Sequence, residues 1–150
     1  MRIFLDTSSL FKLYHREFGT EELELVFSAN NITTVFLSEI SKIEFASTIW
    51  KKVRTNEISE LEAQTTLEMF ESDFAKYTFV VTDSIIIEQA RILVSKFGTP
   101  GLRTLDSIQL STSLSLKEMA DVFFTSDKLL KSLMETEGLK TEMPSPKQTG

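Results

Sequence analysis

The fold is decided by the opening of the chain, Ile3-Phe4-Leu5-Asp6-Thr7-Ser8. Three consecutive apolar residues without polar alternation read as a strand buried on both faces, as in a parallel sheet with helices on either side. The run then meets a carboxylate and two hydroxyl side chains where the strand gives way to a loop. Three more runs of the same kind follow: Val35-Phe36-Leu37, Phe79-Val80-Val81 and Val122-Phe123-Phe124. A weaker fifth strand is expected at Leu139 to Met143.

Helical patterns fill the intervals. Leu23, Val26 and Phe27 recur at helical spacing. Ser38 is expected to cap the helix after the second strand, and Ile40, Ile43, Ser47 and Trp50 share one stripe of it. Ser59 with Glu62 forms a capping box for a helix through about Phe74. Ile86, Ala90, Leu93 and Phe97 mark another helix, stopped by Gly98-Thr99-Pro100-Gly101. Thr104 or Leu105 starts the next one, and Ser126 is expected to cap a last helix that ends at Gly138. Strand–helix alternation of this kind predicts right-handed crossovers and a three-layer α/β/α sandwich with a parallel sheet of about five strands. The two helical segments from Ser38 to Arg54 and from Ser59 to Phe74 form a helical hairpin inserted after the second strand. Residues 1–143 make one domain, and residues 144–150, with two prolines, are expected to be a flexible tail.

Composition narrows the classes. There is no cysteine, which excludes a disulfide scaffold and any Cys-based zinc site. Twelve phenylalanines in 150 residues imply a bulky core and argue against disorder. The N-terminus reaches charge at Arg2 and Asp6, too early for a signal peptide, and no apolar run is long enough to span a membrane. The expectation is a cytoplasmic protein. The net charge of −6 opposes a nucleic-acid role, for which a basic footprint is usual. Carboxylates gathered around a metal ion would account for much of that excess.

Four acidic residues fall where α/β sheets carry their sites, outside the carboxyl ends of the strands. Asp6 ends the first strand. Glu44 lies one to two turns into the helix after the second. Asp106 is in the first turn of its helix, and Asp127 follows the fourth strand. Taken singly, Asp106 and Asp127 read equally well as charges favoured by helix N-termini. Glu44 is more diagnostic, because Ile43 and Phe45 flank it; Glu39 is a competitor some 140° around the same helix. Brought together, unpaired carboxylates repel one another. A hard divalent cation such as Mg²⁺ relieves that repulsion and takes oxygen ligands. The chemistry that follows is phosphodiester hydrolysis.

Four segments carry a resemblance: Ile3-Phe4-Leu5-Asp6-Thr7-Ser8, Ser41-Lys42-Ile43-Glu44-Phe45-Ala46, Leu105-Asp106-Ser107-Ile108-Gln109-Leu110-Ser111 and Phe124-Thr125-Ser126-Asp127-Lys128. In order and spacing they resemble a PIN domain, and most of all the VapC-type toxin ribonucleases of type II toxin–antitoxin pairs. The resemblance covers nearly the whole chain. It implies a five-stranded parallel sheet and Mg²⁺- or Mn²⁺-dependent cleavage of single-stranded or structured RNA. It also implies a homodimer and a cognate antitoxin that blocks the active site. By the same match Asp6, Glu44, Asp106 and Asp127 take the catalytic and metal roles, with Thr125 and Ser8 in support. Family members often carry a His three residues after the third acid; here it is Gln109, which is not expected to be a ligand.

Lys51, Lys52, Arg54 and Arg103 are candidate RNA-backbone contacts, to which Lys12 and Arg16 could add. The competing reading is a solvated helix end that complements the helix dipole. His15, the single histidine, is read as an ordinary surface residue, and Trp50, Phe45 and Phe70 as packing rather than base-stacking residues. Two rivals stand beside the nuclease. A haloacid-dehalogenase-type phosphatase needs a second Asp two residues after the first, where this chain has Ser8. A catalytically inactive PIN fold would serve as an RNA- or antitoxin-binding module.

Overall fold

The computed structural model of the chain describes residues 1–146; residues 147–150 lie outside the described residues. Five strands form one sheet: β1 (Arg2–Leu5), β2 (Thr34–Ser38), β3 (Thr78–Val80), β4 (Val122–Phe124) and β5 (Thr141–Glu142). Their order is β3-β2-β1-β4-β5 and every pairing is parallel. Among the described residues seven helices accompany them: α1 (Thr7–Phe11), α2 (Thr20–Ala29), α3 (Ser41–Arg54), α4 (Glu60–Ser72), α5 (Ser84–Lys96), α6 (Thr104–Ser115) and α7 (Lys128–Thr136). A short 3₁₀ turn, Phe74–Lys76, follows α4. This is the three-layer sandwich expected, with α3 and α4 as the inserted hairpin.

The strands lack alternation because both faces of the sheet are covered. Ile3, Leu5, Val35, Leu37, Val122 and Phe124 pack on one side, with Leu10, Phe11, Leu23, Phe45, Ile49, Ala63 and Phe70 from α1 to α4. Phe4, Phe36 and Phe123 point the other way, against Leu93, Leu110, Leu130, Leu133 and Met134 from α5 to α7. Most of the twelve phenylalanines fill these two layers; Phe45 and Phe70 stack at 4.3 Å between ring centroids. Helix α6 carries buried hydroxyls. Thr112 and Ser113 donate back to the carbonyls of Ile108 and Gln109, and Ser111 donates across to the Ile86 carbonyl of α5 at 2.8 Å. Small side chains with satisfied hydroxyls let α5 and α6 approach closely.

Several local expectations are corrected. Helix α3 begins at Ser41, so Glu44 lies in its first turn. Ser38 does not cap it: buried at the strand end, its Oγ accepts from the Ile40 N–H. The inward stripe of α3 is Ser41, Phe45 and Ile49, while Ile43 is 73% exposed. The sheet face takes the i, i+4, i+8 row and turns Ile43 and Ser47 of the predicted row outward, while Trp50 packs at the edge of the core. Helix α7 is capped by Asp127, whose side chain accepts from the Leu130 N–H, not by Ser126. The other boundaries agree: Ser59 caps α4, and Gly138, with φ +84°, ends the turn after α7. Within the expected tail, Pro144 is buried and its carbonyl lies against Gly19.

Candidate active site

The sheet order reverses beside β1, which pairs with β2 on one side and β4 on the other. A crevice opens at such a switch point, outside the carboxyl ends of the strands. Here it is a cleft of about 330 Å³ lined by Asp6, Thr7, Ser8, Phe11, Glu17, Glu44, Thr48, Lys52, Asp106, Gln109, Ser126 and Asp127. All four acids expected at the site line it. Each also stands at the beginning of a helix: Asp6 and Asp127 as N-caps of α1 and α7, Glu44 and Asp106 in the first turns of α3 and α6. The positive ends of the helix dipoles offset part of the mutual repulsion.

Asp6 is buried, and three groups donate to its carboxylate. Thr125 Oγ1 donates to Oδ2 at 2.5 Å, Ser8 Oγ to Oδ1 and Oδ2 at 2.7 and 2.9 Å, and the Ser9 N–H to Oδ1 at 2.9 Å. Burial pushes its carboxyl up to about 6, and these hydrogen bonds only partly oppose the rise. Thr125 Oγ1 also accepts from the Asp127 N–H, and Ser8 Oγ from the Ser126 N–H. The two side chains expected in support therefore join the end of β1 to the end of β4. Asp106 has its carboxyl raised by burial, then by the charges of Asp127 and Glu44, against a smaller opposing effect of Arg103. Asp106 is thus close enough to feel both Asp127 and Glu44.

Glu44 belongs to a network that sequence reading missed. Its Oε1 accepts from Gln109 Nε2 at 2.8 Å and from Thr7 Oγ1 at 2.9 Å, and Ser41 Oγ lies 2.9 Å from Thr7 Oγ1. The one available signal was the unusual glutamine at 109. Glu39, the competitor, is turned away and accepts from the Thr82 N–H.

The donor set is entirely oxygen, which suits a hard cation rather than zinc. Gln109 Oε1 and Ser126 Oγ are buried beside the acids without a hydrogen-bond partner. Among the described residues, however, no three His, Cys, Asp or Glu side chains stand close enough to ligate one ion directly. Mg²⁺ keeps several of its waters and commonly takes one or two carboxylates. The set therefore fits a hydrated divalent ion and does not fit a dry, all-protein cage.

The basic candidates divide. Lys52 lines the cleft, 5.5 Å above the Phe11 ring and 3.7 Å from Glu57. Arg103 is near enough to Asp106 to affect its carboxyl. Lys51 and Arg54 are exposed and do not line the cleft. Lys12 cannot join a surface patch: it is 6% exposed, paired with Glu17 at 3.2 Å and donating to the Phe18 carbonyl. Arg16 is paired with Glu21. His15 packs on Phe11 outside the cleft, and Phe45 and Phe70 are buried in the core, as the packing reading expects.

No curated protein sequence matches the chain. Among solved structures, FitAcB from Neisseria gonorrhoeae aligns at a TM-score of 0.71 with 16% identity, covering 95% of this chain and 97% of the other. The toxin VapC20 of Mycobacterium tuberculosis, described as cleaving the sarcin–ricin loop, aligns at 0.66 with 14% identity over 91% and 95%. A toxin–antitoxin complex from Klebsiella pneumoniae aligns at 0.64 with 14% identity over 95% and 97%. At these identities the likeness establishes the fold. The sequence pattern of the PIN domain matches residues 3–134, from the first strand to the last helix, and the chain accordingly belongs to the PIN domain family.

Proposed function

We propose that this protein is a Mg²⁺- or Mn²⁺-dependent endoribonuclease and the toxin of a toxin–antitoxin pair. The observation that carries the reading is the gathering of Asp6, Glu44, Asp106 and Asp127 around one cleft at the switch point of the sheet. Asp6, Asp106 and Asp127 would hold the ion, directly or through water. When bound, the ion supplies Lewis-acid activation of the phosphodiester and of the attacking water. Glu44, held at Oε1, presents Oε2 to accept a hydrogen bond from that water. Thr125 and Ser8 keep Asp6 aimed and favour its charged form. Lys52, which lines the cleft, and Arg103, beside Asp106, hold the RNA backbone.

The partners follow from the neighbours of this fold, which include complexes described as toxin–antitoxin and as VapBC bound to DNA. An antitoxin that covers the cleft and a homodimer belong to the proposal. Exposed Ile85, Ile87 and Ile92 on α5 supply apolar surface for protein association. No helix among the described residues is long and apolar enough to cross a membrane, which is compatible with the cytoplasmic assignment.

The alternative is an inactive PIN fold that binds RNA or antitoxin; among the described residues no three acids stand close enough to ligate one ion directly, so the two readings differ in whether a hydrated ion is held. One assay separates the two. Purified chain and a generic single-stranded RNA are incubated with Mg²⁺ or Mn²⁺, and with excess EDTA. Cleavage by wild type that is lost in EDTA and in Asp6→Asn supports the enzyme. Cleavage that survives EDTA or Asp6→Asn removes the proposed mechanism, and RNA binding without cleavage leaves the inactive module.

A further inference from the structure

Gln109 is 1% exposed, deep under the cleft, in a position where an apolar side chain would be the ordinary choice. Its amide is only half satisfied. Nε2 lies 2.8 Å from Glu44 Oε1, 3.1 Å from Thr7 Oγ1 and 3.2 Å from Ser41 Oγ, whereas Oε1 is buried without a partner. The reversed amide would set Oε1 against Glu44 Oε1, two acceptors in contact, so the orientation is fixed by Glu44. A buried carbonyl left unpaired is unfavourable. The arrangement therefore favours donation to Glu44 over satisfaction of the glutamine itself.

The hydroxyls point the same way. Thr7 Oγ1 donates to Glu44 Oε1 and has one hydrogen, so Ser41 must donate to Thr7. Two donor routes end on one oxygen: Ser41 to Thr7 to Glu44, and Gln109 to Glu44. Among the described residues Glu44 Oε2 carries no hydrogen bond. Thr7, Ser41 and Gln109 begin or belong to α1, α3 and α6, so the network ties three helices to one side-chain position.

We propose that Gln109 is a positioning residue: with Thr7 and Ser41 it locks Glu44 by one oxygen and leaves the other free toward the cleft, and so sets how strongly the acidic cluster takes a divalent cation. The inference rests on the nuclease reading above and extends it to a residue that acts through Glu44. Outer partners that orient ligating groups typically govern metal affinity by about 10–100-fold.

The test titrates Mn²⁺ into the full chain by calorimetry, with kcat and KM for RNA cleavage measured in parallel. Gln109→Met keeps the length and apolar stem and loses both donors; Gln109→His retains one ring N–H. The Met variant should bind Mn²⁺ about tenfold more weakly or worse and lose kcat, with KM for RNA unchanged. The His variant should recover part of both. In a Glu44→Gln background the Met substitution should have no further effect, because the partner it positions has lost its charge. Should Gln109→Met fail to fold, Thr7→Val removes the other donor to Glu44 and is expected to weaken Mn²⁺ binding in the same direction. Wild-type Mn²⁺ affinity and kcat in Gln109→Met, or an undiminished loss in the Glu44→Gln background, overturns the positioning role and leaves the nuclease reading intact. A wild-type chain that neither binds Mn²⁺ nor cleaves RNA overturns both.

Discussion

At Thr125 a single hydroxyl joins two acids of the cleft, donating to Asp6 Oδ2 and accepting from the Asp127 N–H. Thr125→Val keeps the shape, strands the Asp127 N–H and leaves Asp6 Oδ2 with Ser8 as its only donor. We expect a stability loss of roughly 1–3 kcal/mol, the cost of unpaired buried polar groups, with cleavage falling more than RNA binding; denaturant melts and kinetics would check it. Asp6 itself carries a pH signature. Its carboxyl is held up at about 6 by burial, above the ordinary value of 3.8, so between those values the folded chain holds a proton that the unfolded chain has released. Stability from this group is complete below about 4 and is lost as pH rises through about 6. The effect approaches roughly 3 kcal/mol, from about 1.4 kcal/mol per pH unit. Metal-free wild type should therefore lose stability relative to Asp6→Asn between pH 4 and 7, and the variant should be the more stable of the two at neutral pH while failing in catalysis. Parallel pH-dependent melts of the two proteins that show no divergence would refute it. The four acids were legible in the sequence because each follows a strand or opens a helix. The contacts that hold them were not. Gln109 meets Thr7 across 102 positions and Thr125 meets Asp6 across 119, and no local pattern encodes such pairs. Lys12 misled for a different reason: Glu17 and Phe18, only five and six positions on, fold back over it in an irregular turn that has no sequence periodicity.

Helix α3 shows what element-level reading can and cannot deliver. Its existence and its end at Arg54 follow from a helix-compatible stretch between two turn regions, whereas its start, expected at Ser38, lies at Ser41. Its rotation does not, because Ile40, Ile43, Phe45, Ile49 and Trp50 put apolar side chains on most of its circumference. The sheet decides by accepting Phe45 and Ile49 into the core. That rotation carries Glu44 and Thr48 to the cleft, with Lys52 one turn further along the same edge. Two substitutions separate the roles of this helix. Phe45→Ala removes a ring that contacts Phe11, Tyr14 and Phe70 and should destabilise by about 3–5 kcal/mol, measurable in urea. Lys52→Ala should weaken RNA binding and lower the slope of log affinity against log salt by about 1, whereas Lys51→Ala, outside the cleft, should change neither appreciably. Equal effects of the two lysines would mean that the whole helix end, rather than the cleft edge, meets RNA. The caps at α3 and α7 were misplaced by serine preference alone. Asp127 follows Ser126 directly, and its carboxylate reaches the Leu130 N–H that a cap must satisfy.

Over the whole molecule, the sandwich follows from buried runs joined by helical crossovers, the strand order comes from the structure, and the placing of the acids bears on the net charge of −6. The excess is not spread evenly. Asp6, Glu44, Asp106 and Asp127 are drawn to one edge by the beginnings of four helices, and Glu17 lines the same cleft. A fold that concentrates like charge in this way is held below its attainable stability until a cation arrives, because ionised carboxylates repel there and one of them is buried. Ligand binding to the folded state alone stabilises by about 2.7 kcal/mol at a hundredfold excess over Kd. For a chain of this size that corresponds to a rise of roughly 5–10 °C in Tm. Mn²⁺ or Mg²⁺ should therefore raise the melting temperature of wild type at pH 7.5, and EDTA should reverse it. The rise should shrink in Asp106→Asn and vanish in Asp6→Asn, although the latter begins from a higher metal-free stability. Ca²⁺ at equal concentration tests whether charge alone suffices or whether ion size matters. If the melt ignores divalent ions in wild type, or responds equally in Asp6→Asn, the acids at this edge serve the helix termini and not a metal, and the inactive-module reading becomes the better account of the same cleft.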